Sequence, residues 1–579
     1  MEDTTRKKLF GLAALGAGIL AVIGFHDVGR QYQQYRIDYA GTFSILGPEL
    51  AFYAWYFTFG ILATLFFTAF YVSFWPGERL EQGFKRFFSW RFFVPTALVL
   101  LLAETLAFQR WGLLYSQIAD DEATYGFIAQ TLLKGRLVNP PPGDNSFFVN
   151  QFVILTRDVW YGKYPIGHPA FLALGEALGL RHMVVPALSC VVLFLTWRVG
   201  RRLFSGQEAS LAVLLLLLSP HFVFMGATRL SYTTESMFMM AGLLALLLLH
   251  DEDRLTWSLV AGACLGAGIL VRPLPGTLFV PVAAAWGWFG LGHLPGKRRL
   301  QHLLAAGIPV ALWCGLLLLI NSLQTGKVLQ SGYQEYHGSE YGLFRVRDAV
   351  MSISLAGAIL RENFWLFGWP LSLAFIPFAR INSRMVLVWG LIGAGLAYRI
   401  VAPKTVVATL GPVYLTEIIP LLALVTVSGV VAARNHANKL HPGGRSVLVP
   451  GLLVASTLVA GLCFLPFELM NIHRSAESRQ RIFRLVDEKT NDKVLVFVNE
   501  VVEVRKYETW AYYPPNPAPD MNERAIYVRI RPNPTEDFEF WKRRFPERTA
   551  WVFRPERADA DSALAQVQTP MDFLNLPVR

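Results

Sequence analysis

Apolar runs of about 18 or more residues recur along most of the chain, separated by short polar stretches. Each can cross a bilayer core of about 30 Å as a helix. The first, from about Leu9 to Phe25, follows Arg6-Lys7-Lys8, as the apolar part of a signal peptide would. No small-x-small cleavage site follows, only Phe25-His26-Asp27, and a second span arrives soon after, so the segment reads as a retained anchor helix. Further spans are expected at about 49–75, 92–109, 183–199, 207–225, 234–250, 256–271, 276–292, 301–321, 362–379, 385–402, 416–433 and 447–467, about thirteen in all. Beyond about residue 470 the pattern changes. Val494–Val498, Ala525–Arg529 and Ala550–Phe553 read as strands, Glu536–Phe545 reads as a helix, and Pro/Asn turns separate them. The expected fold is mainly α: a polytopic membrane helical bundle with long outside loops and a small C-terminal α/β extracytoplasmic domain.

Composition agrees with a chain that lives in lipid. Only 16% of the 579 residues are charged and 53% are apolar, with a mean hydropathy of +0.38. That balance excludes a disordered chain, a collagen-like chain and a string of soluble domains. The net charge of +11 could suggest nucleic acid, but most basic clusters sit in short loops beside apolar spans, where they set topology. With a cytoplasmic N-terminus the inside loops hold Arg79/Lys85/Arg86/Arg91, Arg198/Arg201/Arg202, Lys297/Arg298/Arg299, Arg380/Arg384 and Arg434/Lys439/Arg445. The exception is Asp251-Glu252-Asp253-Arg254, and acidic residues weigh little in this rule. The C-terminus is then outside. Three segments follow: 1–91 with two spans, a core over 92–467 with outside loops at about 110–182 and 322–361, and 468–579 as the C-terminal domain. Cys190, Cys264, Cys314 and Cys463 lie inside apolar runs without paired spacing and read as core residues. There is no GxGxxG, no Walker loop and no solenoid repeat.

The first outside loop carries the most chemistry. Asp120, Asp121 and Glu122 open a helical stretch that runs to about Lys134. Three adjacent carboxylates repel one another, which raises a pKa and suits a general base. The helix macrodipole accounts for acidic residues at a helix start equally well. Further on, Lys163, Tyr164 and His168 in Tyr161-Gly162-Lys163-Tyr164-Pro165-Ile166-Gly167-His168-Pro169 offer donors to a phosphate. The same loop also fits a basic, aromatic segment touching lipid headgroups. At outer span ends lie Arg229 with Ser231–Glu235, and Arg272 in Val271-Arg272-Pro273, either a snorkelling anchor or a cation lining a polar cavity. The second long loop adds Tyr333, Gln334, Glu335, Tyr336 and His337, and a late segment has Gly411-Pro412-Val413-Tyr414-Leu415 with Glu417.

The order of these motifs resembles the GT-C membrane glycosyltransferases, especially the branch of the protein O-mannosyltransferases and the bacterial aminoarabinose transferase. The likeness runs over roughly 92–467 and rests most on Asp121-Glu122. It implies a GT-C-like core and a polyprenyl-phosphate-linked sugar donor. It further implies transfer to a lipid, glycan or protein acceptor outside the bacterial inner membrane, with no nucleic acid partner. Carried over by position, Asp121 is the base, with Glu122 or Asp120 assisting or holding the acceptor. Lys163 and Arg272 lie on the phosphate side, while Tyr164, His168, Arg229 and Tyr414 bind substrate. The family's lysine-proline-proline is Lys163-Tyr164-Pro165 here, and Val413 stands where an arginine is expected. No metal is required, although Asp120, Asp121 and Glu122 are hard oxygen donors that could hold magnesium or manganese.

The competing expectation is a lipid or glycan flippase or secondary transporter. Such a protein places ionisable residues at mid-membrane on broken helices, often in two similar halves. Glu104 is the clear carboxylate within an expected span, and halves are not evident. A membrane scaffold with an extracellular binding domain would leave the acid cluster unexplained.

Overall fold

The computed structural model describes residues 2–39, 46–75, 82–83, 86–338, 350–401, 410–440, 447–499, 503–505, 508–510, 515, 517–555, 557 and 559–574. It divides into two compact units. The first comprises Met1–Gly112, His182–Gly315 and Leu343–Ile472, and the second comprises Leu113–Arg181, Leu316–Gly342 and His473–Arg579. These units cut across the three segments expected from the sequence.

The first unit is helical. Among the described residues, eight helices are long and apolar enough to cross a membrane, or nine if the bent pair Gly206–Leu217 and Pro220–Ala227 is one span. Leu255–Val271 and Ser383–Tyr398 are shorter apolar helices among the described residues. The pair bends by 62° at Ser219-Pro220, where proline lacks an N–H and Ser219 Oγ caps the Phe222 N–H at 3.1 Å. The span expected at 362–379 does not form as one helix. Val350–Trp365 is helical, turns follow, and Ile376–Phe378 is a short 3₁₀ turn. Gly368 has a φ of +69° and Pro370 follows it, and neither conformation continues an α-helix. The last span is longer than expected, because helix continues through Leu448–Lys489. Its later part buries Ile472, Ala476, Ile482, Leu485 and Val486, an amphipathic stripe that the polar average hides.

The acidic exception among the inside loops has a structural reason. Asp251 pairs with Arg202 at 2.8 Å and with Arg384 at 2.6 Å, and Asp253 pairs with Arg298 at 2.9 Å and His302 at 2.6 Å. Three basic loops expected on one side thus meet one acidic loop. Of the other topology residues, Arg79, Lys85 and Arg445 lie outside the described residues.

The second unit holds a four-stranded sheet in the order Ala525–Arg529, Val494–Val498, Thr549–Phe553, Leu564–Gln566. The first three strands are parallel and the last is antiparallel. The strand and helix expectations are met here, the helix running Pro534–Arg544 behind an Asn533 cap. Val494–Val498 is buried on both faces. Leu495 and Phe497 face one cluster, whereas Val494, Val496 and Val498 face another that contains Ile482, Leu485 and Val486. The first of these clusters includes Phe147 and Phe148 from the first long loop, and Phe147 stacks on Phe540 with centroids 3.9 Å apart. Lys134–Asp520 at 2.6 Å and Arg543–Asp144 at 2.6 Å add ion pairs. The C-terminal segment and the first loop therefore share one core.

Candidate active site

In the second unit the Asp120–Leu133 helix begins with the three carboxylates, and each has a different partner. Asp120 accepts from Arg479 at 2.7 Å. Glu122 Oε1 accepts from the backbone N–H groups of Ile118 and Ala119 at 3.0 and 3.1 Å, which satisfies donors that a helix start leaves open. Asp121 accepts from the Tyr164 hydroxyl. The expected role for Glu122 on the acceptor has no support in this geometry, since its carboxylate is buried and caps the helix. Among the described residues no group of three or more His, Cys, Asp or Glu converges as a metal site would require.

A tight approach aligns these partners. The antiparallel strands Val153–Leu155 and Trp160–Gly162 press Gly162 onto the helix, where a Cβ would lie 2.6 Å from Ile128 and 2.8 Å from Thr124. The next residues, Lys163 and Tyr164, are thereby held beside Asp121. Tyr164 is buried, with its ring 4.7 Å from that of Tyr125 and 5.5 Å from that of Tyr333. His168 is fully buried and meets Tyr125 edge-on at 5.0 Å, so it supports the aromatic layer rather than lining open space.

Lys163 is 5% exposed, an unusual place for an ammonium. Its Nζ lies 3.1 Å from His337 Nε2 and 3.6 Å from the centre of the Phe152 ring, with Tyr336 at 4.8 Å. Aromatic faces attract a desolvated cation. Phe152 has a φ of +64°, which a bulky residue rarely adopts, and its carbonyl accepts the Lys163 N–H at 3.0 Å. Gly332 lets the Gly332–His337 helix come close, because a Cβ there would lie 2.5 Å from the Lys163 carbonyl oxygen.

Burial pushes the Asp121 carboxyl above its ordinary value. The Tyr164 hydrogen bond and the Lys163 charge oppose that rise, while Asp120 adds the smallest push upward. Carboxylate crowding, expected to dominate, is thus a minor cause. Burial, followed by the charge of Asp121, holds the Tyr164 phenol well above its usual range, so Tyr164 remains the donor.

A separate polar group lies in the first unit. Arg272 ends the Leu255–Val271 helix and pairs with Glu417 at 2.6 Å. Its Nη2 donates to the Tyr398 hydroxyl at 3.2 Å, and its guanidinium lies 3.9 Å from the Tyr232 ring centre and 6.0 Å from that of Tyr414. Arg272 is neither a snorkelling anchor nor an open cation; it is one half of a buried ion pair. Glu235, also buried, interacts electrostatically with both partners. Arg229 is half-buried at the break before Tyr232–Glu252. Nearby in sequence order, His221 Nδ1 meets Glu362 at 2.9 Å and His221 Nε2 meets Thr416 at 3.2 Å. Glu235, Glu362 and Glu417 are all buried on helical segments.

Sequence reasoning named Glu235, Tyr333, Tyr336, His337 and Glu417 but gave them no role, and it missed Phe152, Arg479, Tyr398, His221 and Glu362. Their contacts join distant segments, and no local spacing marks them.

Residues 163–318 match the model of the family dolichyl-phosphate-mannose-protein mannosyltransferase. Over that segment the chain is similar to glycosyltransferases. A search of curated protein sequences found no match. Among solved structures, ArnT from Cupriavidus metallidurans bound to undecaprenyl phosphate aligns at 14% identity over 80% of this chain and 92% of that one, with a TM-score of 0.49. AglB from Archaeoglobus fulgidus, an archaeal oligosaccharyltransferase in complex with an inhibitory peptide and a dolichol-phosphate, aligns at 11% identity. That alignment covers 71% of this chain and 63% of that one, with a TM-score of 0.43.

Proposed function

We propose that this protein is a GT-C glycosyltransferase that moves a sugar from a polyprenyl-phosphate-linked donor to a lipid, glycan or protein acceptor. The membrane is the bacterial inner membrane, with the N-terminus cytoplasmic and the transfer on the outer face. The observation that carries the reading is the half-buried Asp121 carboxylate beside Tyr164 and Lys163, within a chain whose residues 163–318 match a mannosyltransferase family.

In this reading the acceptor hydroxyl attacks the anomeric carbon as its proton passes to Asp121. The bond from that carbon to the phosphate oxygen breaks, the electron pair stays on the phosphate, and the sugar inverts. Burial makes Asp121 a stronger base than an exposed aspartate, and the Tyr164 hydroxyl orients it. Lys163 supplies positive charge where the leaving phosphate gains negative charge. No step calls on a divalent metal. Asp120 and Glu122 act on the helix rather than on the acceptor.

The test is Asp121→Asn in the purified full-length protein, with folding checked by gel filtration in detergent. A host membrane extract supplies both the polyprenyl-linked donor and the acceptor hydroxyls, and release of polyprenyl phosphate is measured with and without a chelator. A loss of about 10²–10⁴-fold is expected, and the wild-type rate should survive chelation. Near wild-type release by the variant would remove Asp121 as the base, and complete loss in chelator would overturn the metal-free reading.

A transporter or flippase is the second reading, favoured by one observation. Glu235, Arg272 and Glu417 are buried where helices break, the arrangement transporters use for ion and substrate sites. Movement of labelled lipid across vesicles without breakage of the sugar–phosphate bond would select it.

A further inference from the structure

We infer that Arg479, on the C-terminal helix Leu465–Lys489, is a positioning residue for the Asp121 base. Through it the C-terminal segment forms part of the working site. The inference rests on the glycosyltransferase reading and adds a residue and a role to it.

The geometry is local to the second unit. Arg479 Nη1 lies 2.7 Å from Asp120 Oδ1, and both side chains are about one-fifth exposed. One residue later, Gln480 Nε2 donates to the Leu114 carbonyl at 2.9 Å. Leu114 and Tyr115 carry φ values of +51° and +56°, in the left-handed region that costs non-glycine residues free energy. Consecutive side chains of one helix thus grip both the strained approach to the Asp120–Leu133 helix and its first residue. The second residue of that helix is Asp121. A rotation of the first turn would carry the Asp121 carboxylate away from the Tyr164 hydroxyl.

Arg479 also has an electrostatic effect. Asp120 stands one residue from the base, and its negative charge opposes ionisation of Asp121. A guanidinium paired with Asp120 offsets part of that negative charge. The other groups facing Asp121 are Tyr164, which donates to it, and Lys163, which has His337 beside it. Arg479 is therefore a cation whose ion pair is with Asp120, one residue from the base. A residue of purely structural importance would lower activity at every pH. Arg479 should instead move the pH dependence.

The experiment compares Arg479→Ala, Asp120→Asn and the double variant in the full-length protein. Release of polyprenyl phosphate from a host membrane extract that holds both the polyprenyl-linked donor and the acceptor is followed across pH. The base must be ionised, so the acid limb of the rate profile follows the Asp121 pKa. Removing Arg479 leaves Asp120 uncompensated and should move the limb up by about half to one pH unit. Adding Asp120→Asn to that variant should return the limb to the wild-type position, and Asp120→Asn alone should move it down. If Arg479→Ala does not fold, Arg479→Lys and Arg479→Gln carry the comparison, with lysine keeping the wild-type limb and glutamine displacing it. An unmoved limb in an active variant, or a displacement that Asp120→Asn fails to reverse, overturns the role of Arg479 and leaves the Asp121 assignment intact. If instead the wild-type protein releases no polyprenyl phosphate, or Asp121→Asn keeps its rate, the glycosyltransferase reading itself fails.

Discussion

Tyr164→Phe isolates one contribution to the reactivity of Asp121. The substitution deletes a single oxygen and keeps the ring, so the packing against Tyr125 at 4.7 Å and Tyr333 at 5.5 Å survives. What is lost is the hydroxyl that donates to Asp121. That hydrogen bond is the largest influence holding the Asp121 pKa down against burial, ahead of the Lys163 charge. A hydrogen bond to an ionised group contributes about 1.5–3 kcal/mol, and one pKa unit corresponds to about 1.36 kcal/mol. The pKa should therefore rise by roughly one to two units. A base is active when deprotonated, so a higher pKa carries the acid limb of kcat/KM to higher pH. Well below the limb the rate should fall about ten- to a hundredfold, while the high-pH plateau changes far less. The assay is release of polyprenyl phosphate across pH with matched ionic strength. An acid limb that stays in place, or that moves to lower pH, would refute the hydrogen bond as a determinant of the base. A uniform loss at all pH values would mean that Tyr164 acts by orientation alone.

Two further outcomes test the surroundings. Arg272→Ala should destabilise the protein by about 3–5 kcal/mol, because it leaves the buried Glu417 carboxylate beside Glu235 without its cation. Thermal unfolding in detergent measures this, and stability within about 0.5 kcal/mol of wild type would count against a buried pair that works structurally. In the C-terminal sheet region, burial raises the Asp537 pKa to about 7, with the Arg531 backbone N–H opposing the rise. The folded state then binds the proton more tightly than the unfolded chain, whose aspartate titrates near about 3.9. Its stabilising effect is complete below that value and is lost as pH rises through about 7. Asp537→Asn should flatten the stability loss between about pH 4 and 7, worth on the order of 2–4 kcal/mol as an upper bound, and an unchanged slope would dismiss it.

Much of the fold was legible because it is local. The three parallel strands announced themselves by short β-branched and aromatic runs between turn residues, and the helix after Asn533 by its acidic start. Apolar length marked most spans. It failed at 362–379, where hydropathy sees a continuous run but Gly368 and Pro370 break the helix. It also failed after 467, where a polar average concealed the stripe Ile472, Ala476, Ile482 and Val486. Asp121, Lys163 and Tyr164 were legible as the right residue types on one loop. Their pairing was not, since it depends on Gly162 sitting against Ile128 and Thr124. For Arg272 nothing local shows that Glu417 is opposite it. Arg479 was illegible for the same reason: 359 positions separate it from Asp120.

The same contrast says why the site is assembled from distant segments. A carboxylate in the first turn of an exposed helix is a weak base, held near its ordinary pKa by water and by the helix dipole. Raising it takes burial, and burial alone would leave it protonated and badly aimed. Here burial is supplied by the aromatic layer of Tyr125, Tyr164 and Tyr333, orientation by the Tyr164 hydroxyl, and opposing positive charge by Lys163. Tyr125 shares the helix of the base, and the other groups come from different stretches of the chain. The adjacent Asp120 adds a small upward push, and the C-terminal helix sets Arg479 against it. In a chain with so few charges, the reactive carboxylate is set apart less by its neighbours in sequence than by the different partner each of those neighbours has been given.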